Sequence, residues 1–134
     1  MSDSGEKKRI LVCGGRDYSD RERLFVILDQ FLEVLSSVII IHGGARGADS
    51  LAGEWARNRD QEEIVFLADW NKYSKAAGYK RNIQMLHEGH PDLVVAFPGG
   101  KGTDHMIMIA ENSNVMVVKV LDKEKSNCIR VVTI

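Results

Sequence analysis

The sequence predicts an α/β fold, a three-layer sandwich in which helices cover both faces of a mostly parallel sheet of five strands. Five short apolar runs alternate along the chain with stretches in which apolar residues recur at helical spacing. Most of these runs are continuous rather than alternating, which is typical of strands buried on both faces. The five predicted strands are Ile10–Cys13, Val38–Ile41, Ile64–Ala68, Leu93–Phe97 and Val115–Val120.

The segments between the runs have the pattern of amphipathic helices. Leucine and phenylalanine at helical spacing predict one helix over Asp20–Leu35, and the same pattern follows the second and fourth strands. A further helix is predicted over Tyr79–Glu88, after a polar and aromatic connection, Asp69–Gly78. The tail Cys128–Ile134 can add a short edge strand to the sheet.

Length, charge and cysteine content limit the classes of function. We expect one domain over residues 1–134, with the polar residues 1–8 flexible. The formal net charge of -1 gives no overall attraction to nucleic acid, so nucleic acid is not an expected partner. Cys13 and Cys128 have no CxxC spacing, and neither a metal site nor another cofactor is expected. Without a signal peptide or a long apolar run, the expected location is the cytoplasm, away from the membrane.

Three glycine-rich segments each follow a predicted strand and precede a predicted helix. They are Gly14–Asp17, His42–Asp49 and Pro98–Asp104. The carboxyl ends of parallel strands meet at one edge of a sheet, so we expect the three segments to converge there. Glycine allows a ligand to approach the main chain closely, and the N-terminus of the following helix favours phosphate. A tight turn also needs glycine, but three such turns at one edge favour a shared pocket for an anionic ligand.

The glycine-rich segments match neither of two common nucleotide motifs, since GxxxxGK[ST] and GxGxxG are both absent. Together with Ala68–Trp70 and with Arg81, Asn82 and Met85, they resemble the YspA/YpsA-related branch of the SLOG superfamily over residues 9–120. The resemblance implies a Rossmann-like sheet. It also implies a nucleotide-derived ligand, such as a nucleoside phosphate or an ADP-ribose-like molecule, bound for sensing or sequestration. Kinship of fold does not by itself define an activity.

Two relatives of that superfamily suggest alternatives, the LOG phosphoribohydrolases and the DNA-binding protein DprA. The segment 98–103 resembles the PGGxGT motif of the hydrolases, and Arg81 and Met85 match an arginine and a methionine on the preceding helix. The LOG pattern continues to a glutamate where this chain has Met106. The resemblance therefore implies a phosphate-binding loop that lacks its usual acid. Binding of single-stranded DNA, as in DprA, is a lesser alternative that the near-neutral charge opposes.

If the protein is a hydrolase that cleaves the N-glycosidic bond of a nucleotide, it needs a carboxylate near the ribose. Asp104 and Asp49 are the candidate catalytic residues, because each starts a helix beside the predicted pocket. The alternative interpretation is that each is an acid in the first turn of its helix, which it stabilises by about 0.5–1 kcal/mol.

The predicted ligand site combines glycine N–H groups and cations for phosphate with an aromatic side chain for a base. Trp70 either stacks on that base or closes the end of the hydrophobic core. The resemblance to the SLOG superfamily also implies a homo-oligomer, a dimer or larger, with Met106 and Met108 as candidate exposed contacts. The predicted ligand-binding residues are Gly14, Gly15, Arg16, Asp17, Gly43, Gly44, Ala45, Arg46, Gly47, Asp49, Ser50, Trp70, Arg81, Asn82, Met85, Pro98, Gly99, Gly100, Lys101, Gly102 and Thr103.

Overall fold

The sheet has six strands in a computed structural model that describes residues 7–121 and 129–132. The strands are β1 (Lys8–Cys13), β2 (Val38–His42), β3 (Glu62–Val65), β4 (Leu93–Ala96), β5 (Met116–Val120) and β6 (Ile129–Val132). Their spatial order is β3-β2-β1-β4-β5-β6. The first five strands are parallel, and β6 pairs antiparallel to β5. The predicted α/β, Rossmann-like fold is confirmed, and the predicted edge strand is present as β6.

Helices cover both faces of the sheet. Successive β1 side chains point to opposite sides, and because these side chains are apolar, each side needs a covering layer. Ile10 and Val12 lie in the core beneath the first two helices, whereas Leu11 and Cys13 lie in the core beneath the last two. None of the helices in the described part of the chain is long and apolar enough to cross a membrane. The helices are α1 (Arg21–Leu35), α2 (Ala48–Asn58), α3 (Trp70–Tyr73), α4 (Ala77–Gly89) and α5 (Lys101–Asn112), with a 3₁₀ turn at Ser74–Ala76.

Several predicted boundaries differ from the structure. β3 begins two residues before the predicted Ile64–Ala68 and ends at Val65, which is 43% exposed. It lies at the edge of the sheet, so its residues do not form the fully buried run expected of a central strand. Lys8 opens β1 instead of belonging to a flexible segment, while residues 1–6 lie outside the described residues. Met106 is fully buried and cannot be a surface contact, whereas Met108 is 51% exposed.

Candidate functional site

The three glycine-rich turns meet at the carboxyl edge of the sheet. The Gly15 N–H donates to the Pro98 carbonyl at 2.9 Å, and the Ala48 N–H donates to the Gly15 carbonyl at 3.2 Å. The first turn is thus joined to the other two through the main chain. A Cβ on Gly14 would lie 2.6 Å from the Cβ of Ala48, so glycine allows these segments to approach each other.

Two adjoining cavities open at this edge. The first, called the α5 cavity, has a volume of about 370 Å³ and lies against the start of α5. The second, called the β3 cavity, has a volume of about 420 Å³ and is bounded by the chain that follows β3. Both volumes lie near the lower end of the range for small-molecule sites. The predicted residues that line the α5 cavity are Gly14, Gly15, Arg16, Ala45, Asp49, Trp70, Arg81, Asn82, Met85, Gly100, Gly102 and Thr103.

The α5 cavity has an excess of positive charge although the whole chain does not. Arg16, Lys75 and Arg81 line it, against a single lining carboxylate, Asp49. Among the described residues, no ion pair joins Arg16 or Arg81 to a carboxylate. The local charge therefore favours an anionic ligand that the average composition does not indicate.

Arg81 is held in place from two sides. Its Nη1 donates to the Gly43 carbonyl at 2.6 Å, and its Nε donates to Asn82 Oδ1 at 3.2 Å. Burial lowers the pKa of Arg81, and the nearby Asp49 carboxylate opposes that shift. The Nη2 group of Arg81 has no acceptor among residues 7–121. The guanidinium therefore keeps N–H groups that can donate to a ligand.

The start of α5 supplies further donors. The first N–H of the helix that has a main-chain acceptor is that of Asp104, which donates to the Gly100 carbonyl at 3.0 Å. In the described part of the chain, the N–H groups of Lys101, Gly102 and Thr103 have no acceptor, as expected in the first turn of a helix. A Cβ added at Gly100 or Gly102 would meet nothing within 4 Å. The main chain here is therefore open to an approaching anion.

Three N–H groups of the turn after β2 have acceptors within the protein. Asp49 Oδ2 accepts from the N–H groups of Gly43 at 3.1 Å and Ala45 at 3.2 Å. The Gly44 N–H donates to Nδ1 of His42 at 3.0 Å. Since these three N–H groups already have acceptors, the expected phosphate contact through Gly43 and Gly44 is not available in this conformation.

Asp49 is the carboxylate that organises this turn. It is 6% exposed, and burial raises its pKa, against the lowering effects of the Ala45 N–H and the Arg81 guanidinium. Its hydrogen bonds to two N–H groups account for its position in the first turn of α2. They support the structural interpretation of Asp49 over the catalytic one.

The imidazole of His42 supports the same turn from below. Because Nδ1 accepts from Gly44, the ring proton is on Nε2, which donates to Glu63 Oε2 at 2.6 Å. Arg57 also donates to Glu63 at 2.8 Å. Burial acts to raise the pKa of Glu63, but the hydrogen bonds from His42 and Arg57 lower it overall. The hydrogen bond between His42 and Glu63 ties the turn after β2 to the edge strand β3.

Asp104 is exposed and does not line either cavity, contrary to the expectation that it faces the site. Successive helical residues are rotated by about 100°, so Thr103 points into the α5 cavity and Asp104 points to solvent. The position of the LOG glutamate is occupied by Met106, which packs in the core beneath α4 and α5. Neither residue supplies a carboxylate to the site.

Other predicted ligand residues lie outside the α5 cavity. Arg46 forms an ion pair with Asp17 at 3.3 Å, with both side chains largely exposed. The Ser50 hydroxyl donates to the Ala45 carbonyl at 2.9 Å. Gly43, Gly44 and Arg46 line the β3 cavity instead. Those that line neither cavity are Asp17, Gly47, Ser50, Pro98, Gly99 and Lys101.

Trp70 forms a wall shared by both cavities. It is 48% exposed, and the guanidinium carbon of Arg16 lies 5.2 Å from the centre of its ring. α3 has no buried residue, so Trp70 does not close the hydrophobic core. The ring is accessible to a flat ligand.

In the α5 cavity, the lining residues outside the predicted ligand-binding set are Cys13, Lys75, Gly78 and Tyr79. Three of these belong to the connection before α4 or to its first turn, where the basic and aromatic composition was the available signal. Burial raises the pKa of Cys13 far above its ordinary range, so its thiol is not a nucleophile. In the described part of the chain, no group of three or more acidic, histidine or cysteine side chains could hold a metal ion.

Comparison with known proteins identifies the family of this chain. The family described as "YspA, cpYpsA-related SLOG family" matches residues 8–73. Gene 61 protein of Mycobacterium phage D29 is 35% identical over 124 residues, which cover 87% of this chain and 98% of that protein. The chain therefore belongs to the YspA/cpYpsA-related SLOG family.

A solved structure supports the same fold. The X-ray structure of TM1055 matches with a TM-score of 0.62 at 20% sequence identity, covering 80% of this chain and 70% of that one. At this level of identity the likeness extends to the fold alone.

Proposed function

We propose that the protein binds a nucleotide-derived phosphorylated ligand, a nucleoside phosphate or an ADP-ribose-like molecule, in the α5 cavity, for sensing or sequestration. One observation carries the proposal. Gly102 and Thr103, whose N–H groups have no acceptor within residues 7–121 and 129–132, line the same cavity as the guanidinium groups of Arg16 and Arg81. Helix N-termini and arginine together supply the charge-assisted hydrogen bonds that phosphate oxygens accept.

The same cavity also offers a surface for a base. Trp70 is half-exposed and stands beside the arginine pair. Stacking of a base on an aromatic ring contributes about 1–3 kcal/mol in proteins that bind single-stranded nucleic acids. The contact with Arg16 orients the Trp70 ring before a ligand arrives, which reduces the entropy lost on binding.

Hydrolysis of an N-glycosidic bond receives less support from the site. Asp104 faces solvent, and Asp49 is engaged by two main-chain N–H groups. Among the described residues, Asp49 is the only one that brings a carboxylate to the α5 cavity. Binding without turnover is therefore the function that the described residues favour.

Calorimetric titration with nucleoside mono- and diphosphates and with ADP-ribose tests the proposal. Replacing Arg81→Met removes a charged donor, so we expect affinity to fall by roughly 10- to 100-fold, since a hydrogen bond to a charged group contributes about 1.5–3 kcal/mol. Arg21→Met is the matched control, because Arg21 pairs with Glu54 on the surface, away from the cavity.

Arg81→Lys keeps the charge without the planar donor group, and we expect partial recovery of affinity. The proposal fails if no phosphorylated nucleoside binds the wild-type protein. It also fails if Arg81→Met and Arg21→Met weaken binding equally, because binding would then depend on overall charge.

A further inference from the structure

The two cavities meet at a boundary of like charge. Arg16, Ala45, Trp70 and Arg81 line both of them, so the cavities form one cleft with a waist at these residues. Arg16 lies close enough to lower the pKa of Arg81 by repulsion. Two guanidinium groups without an ion-paired carboxylate among the described residues therefore face the middle of the cleft.

Each end of the cleft has apolar lining residues that the waist does not share. In the α5 cavity these include Met85 and Tyr79. In the β3 cavity, Leu67 and Ala68 form the corresponding wall, and Leu67 is 72% exposed. Each end shares the ring of Trp70. Either cavity alone is near the smallest size of a small-molecule site, and the pair is of ordinary size.

Leu67 is supported from beneath by the turn after β2. Gly44 has φ of +72°, and a Cβ there would lie 2.6 Å from Leu67 Cδ2 and 3.1 Å from Val65 Cγ1. Because Gly44 has no side chain, Leu67 packs directly against the turn and lines the β3 cavity. The turn after β2, whose Gly43, Gly44 and Ala45 N–H groups already have acceptors, thus shapes an apolar wall.

The geometry points to a ligand with two organic ends joined by a diphosphate. Its phosphates lie at the Arg16–Arg81 waist and against the N–H groups of Gly102 and Thr103, and its ends occupy the rest of the α5 cavity and the β3 cavity. This inference rests on the proposed function and narrows it from phosphorylated nucleosides in general to dinucleotide-like molecules. A mononucleotide fills only one of the two cavities. The second end adds contacts at little further cost in translational freedom, because the first end is already bound.

The test compares adenosine diphosphate with a dinucleoside diphosphate that has two adenosine ends, and repeats the comparison with the guanosine pair. The two-ended molecule carries less negative charge than adenosine diphosphate. If it binds more tightly, the gain therefore comes from contacts of its second end and not from charge. We expect the wild-type protein to bind it at least about tenfold more tightly in calorimetric titration.

Ala68→Phe fills the β3 cavity without changing charge. We expect it to abolish the tenfold advantage and to leave adenosine diphosphate affinity within about twofold. Leu67→Ala, which removes an exposed wall, should reduce the advantage several-fold even if Ala68→Phe fails to fold. Val34→Phe is the control, because Val34 is 80% exposed on α1 and lines neither cavity.

Equal affinity of the wild-type protein for the one- and two-ended molecules overturns the inference but leaves the proposed function standing. An advantage that survives both Ala68→Phe and Leu67→Ala overturns it too, because the second end then lies elsewhere. Failure of every phosphorylated probe to bind overturns the proposed function together with this inference.

Discussion

The turn after β2 and the start of α5 have nearly the same composition and opposite uses of their main chain. In the first, the N–H groups of Gly43, Gly44 and Ala45 donate to side chains of the same region. In the second, the N–H groups of Gly102 and Thr103 have no acceptor among the described residues and line a cavity. The N–H groups of Gly43, Gly44 and Ala45 are thus engaged within the protein, whereas those of Gly102 and Thr103 are open to a ligand.

The contrast separates two reasons for glycine at the end of a strand. A Cβ at Gly47, where φ is +83°, would overlap the Gly15 carbonyl oxygen, so glycine there serves contact between two main chains. A Cβ at Gly102 would meet nothing within 4 Å. Glycine at the start of α5 therefore leaves room that the protein itself does not use, as expected where a ligand approaches the main chain.

The largest effect on stability is expected at Gly47, where glycine allows two main chains to come into contact. Gly47→Ala should lower the free energy of unfolding by about 3 kcal/mol, because it combines a left-handed conformation with overlap against a carbonyl oxygen. Urea denaturation of the two proteins measures the difference. A change below about 0.5 kcal/mol would mean that the turn rearranges easily, and the contrast between the two segments would weaken.

A smaller effect, on a different property, is expected at the start of α5. Gly102→Ala should raise the free energy of unfolding by about 0.5–1 kcal/mol, since alanine favours the helix. It should also weaken nucleotide binding about tenfold, or about 1.4 kcal/mol, because the added methyl group occupies the space of the ligand. Unfolding and titration of the same variant test both parts. Unchanged affinity would place the phosphate away from α5.

The smallest effect concerns the pH dependence of stability. Burial raises the pKa of Asp49 above its ordinary value of 3.8, so the folded state holds this proton more tightly than the unfolded state. The stability that Asp49 contributes is therefore fully present below that value and is lost as pH rises through the folded-state pKa. Asp49→Asn keeps an acceptor for the Gly43 and Ala45 N–H groups but does not titrate. The variant should gain stability relative to wild type as pH rises from about 4 to about 8.

Glu63→Gln is the matched control for this experiment. The pKa of Glu63 is lowered, so its contribution is present above its ordinary value of 4.5 and is lost as pH falls. The two variants should therefore differ from wild type with opposite slopes, that of Glu63→Gln being confined to pH below about 5.5. Parallel slopes would contradict the roles assigned to these two carboxyl groups in the turn after β2.

The sequence by itself determined the sheet, the order of helices and strands, and the convergence of the glycine-rich turns. These follow from patterns that repeat over four or more neighbouring residues, such as the continuous apolar run of β1 and the helical spacing of α1. Because parallel strands end at one edge, positions along the chain were enough to bring the turns together. The boundary of β3 was missed because half of an edge strand is exposed.

Only the tertiary structure decided which turn is open. In the turn after β2, Asp49 and His42 accept hydrogen bonds from the N–H groups of Gly43, Gly44 and Ala45. No local sequence pattern distinguishes this aspartate and this histidine from ones that face solvent. The tertiary structure also directs Thr103 into the cavity and leaves Asp104 in solvent. Hydrogen bonds between side chain and main chain depend on distances across the fold, and a rotation of about 100° separates neighbouring helical residues.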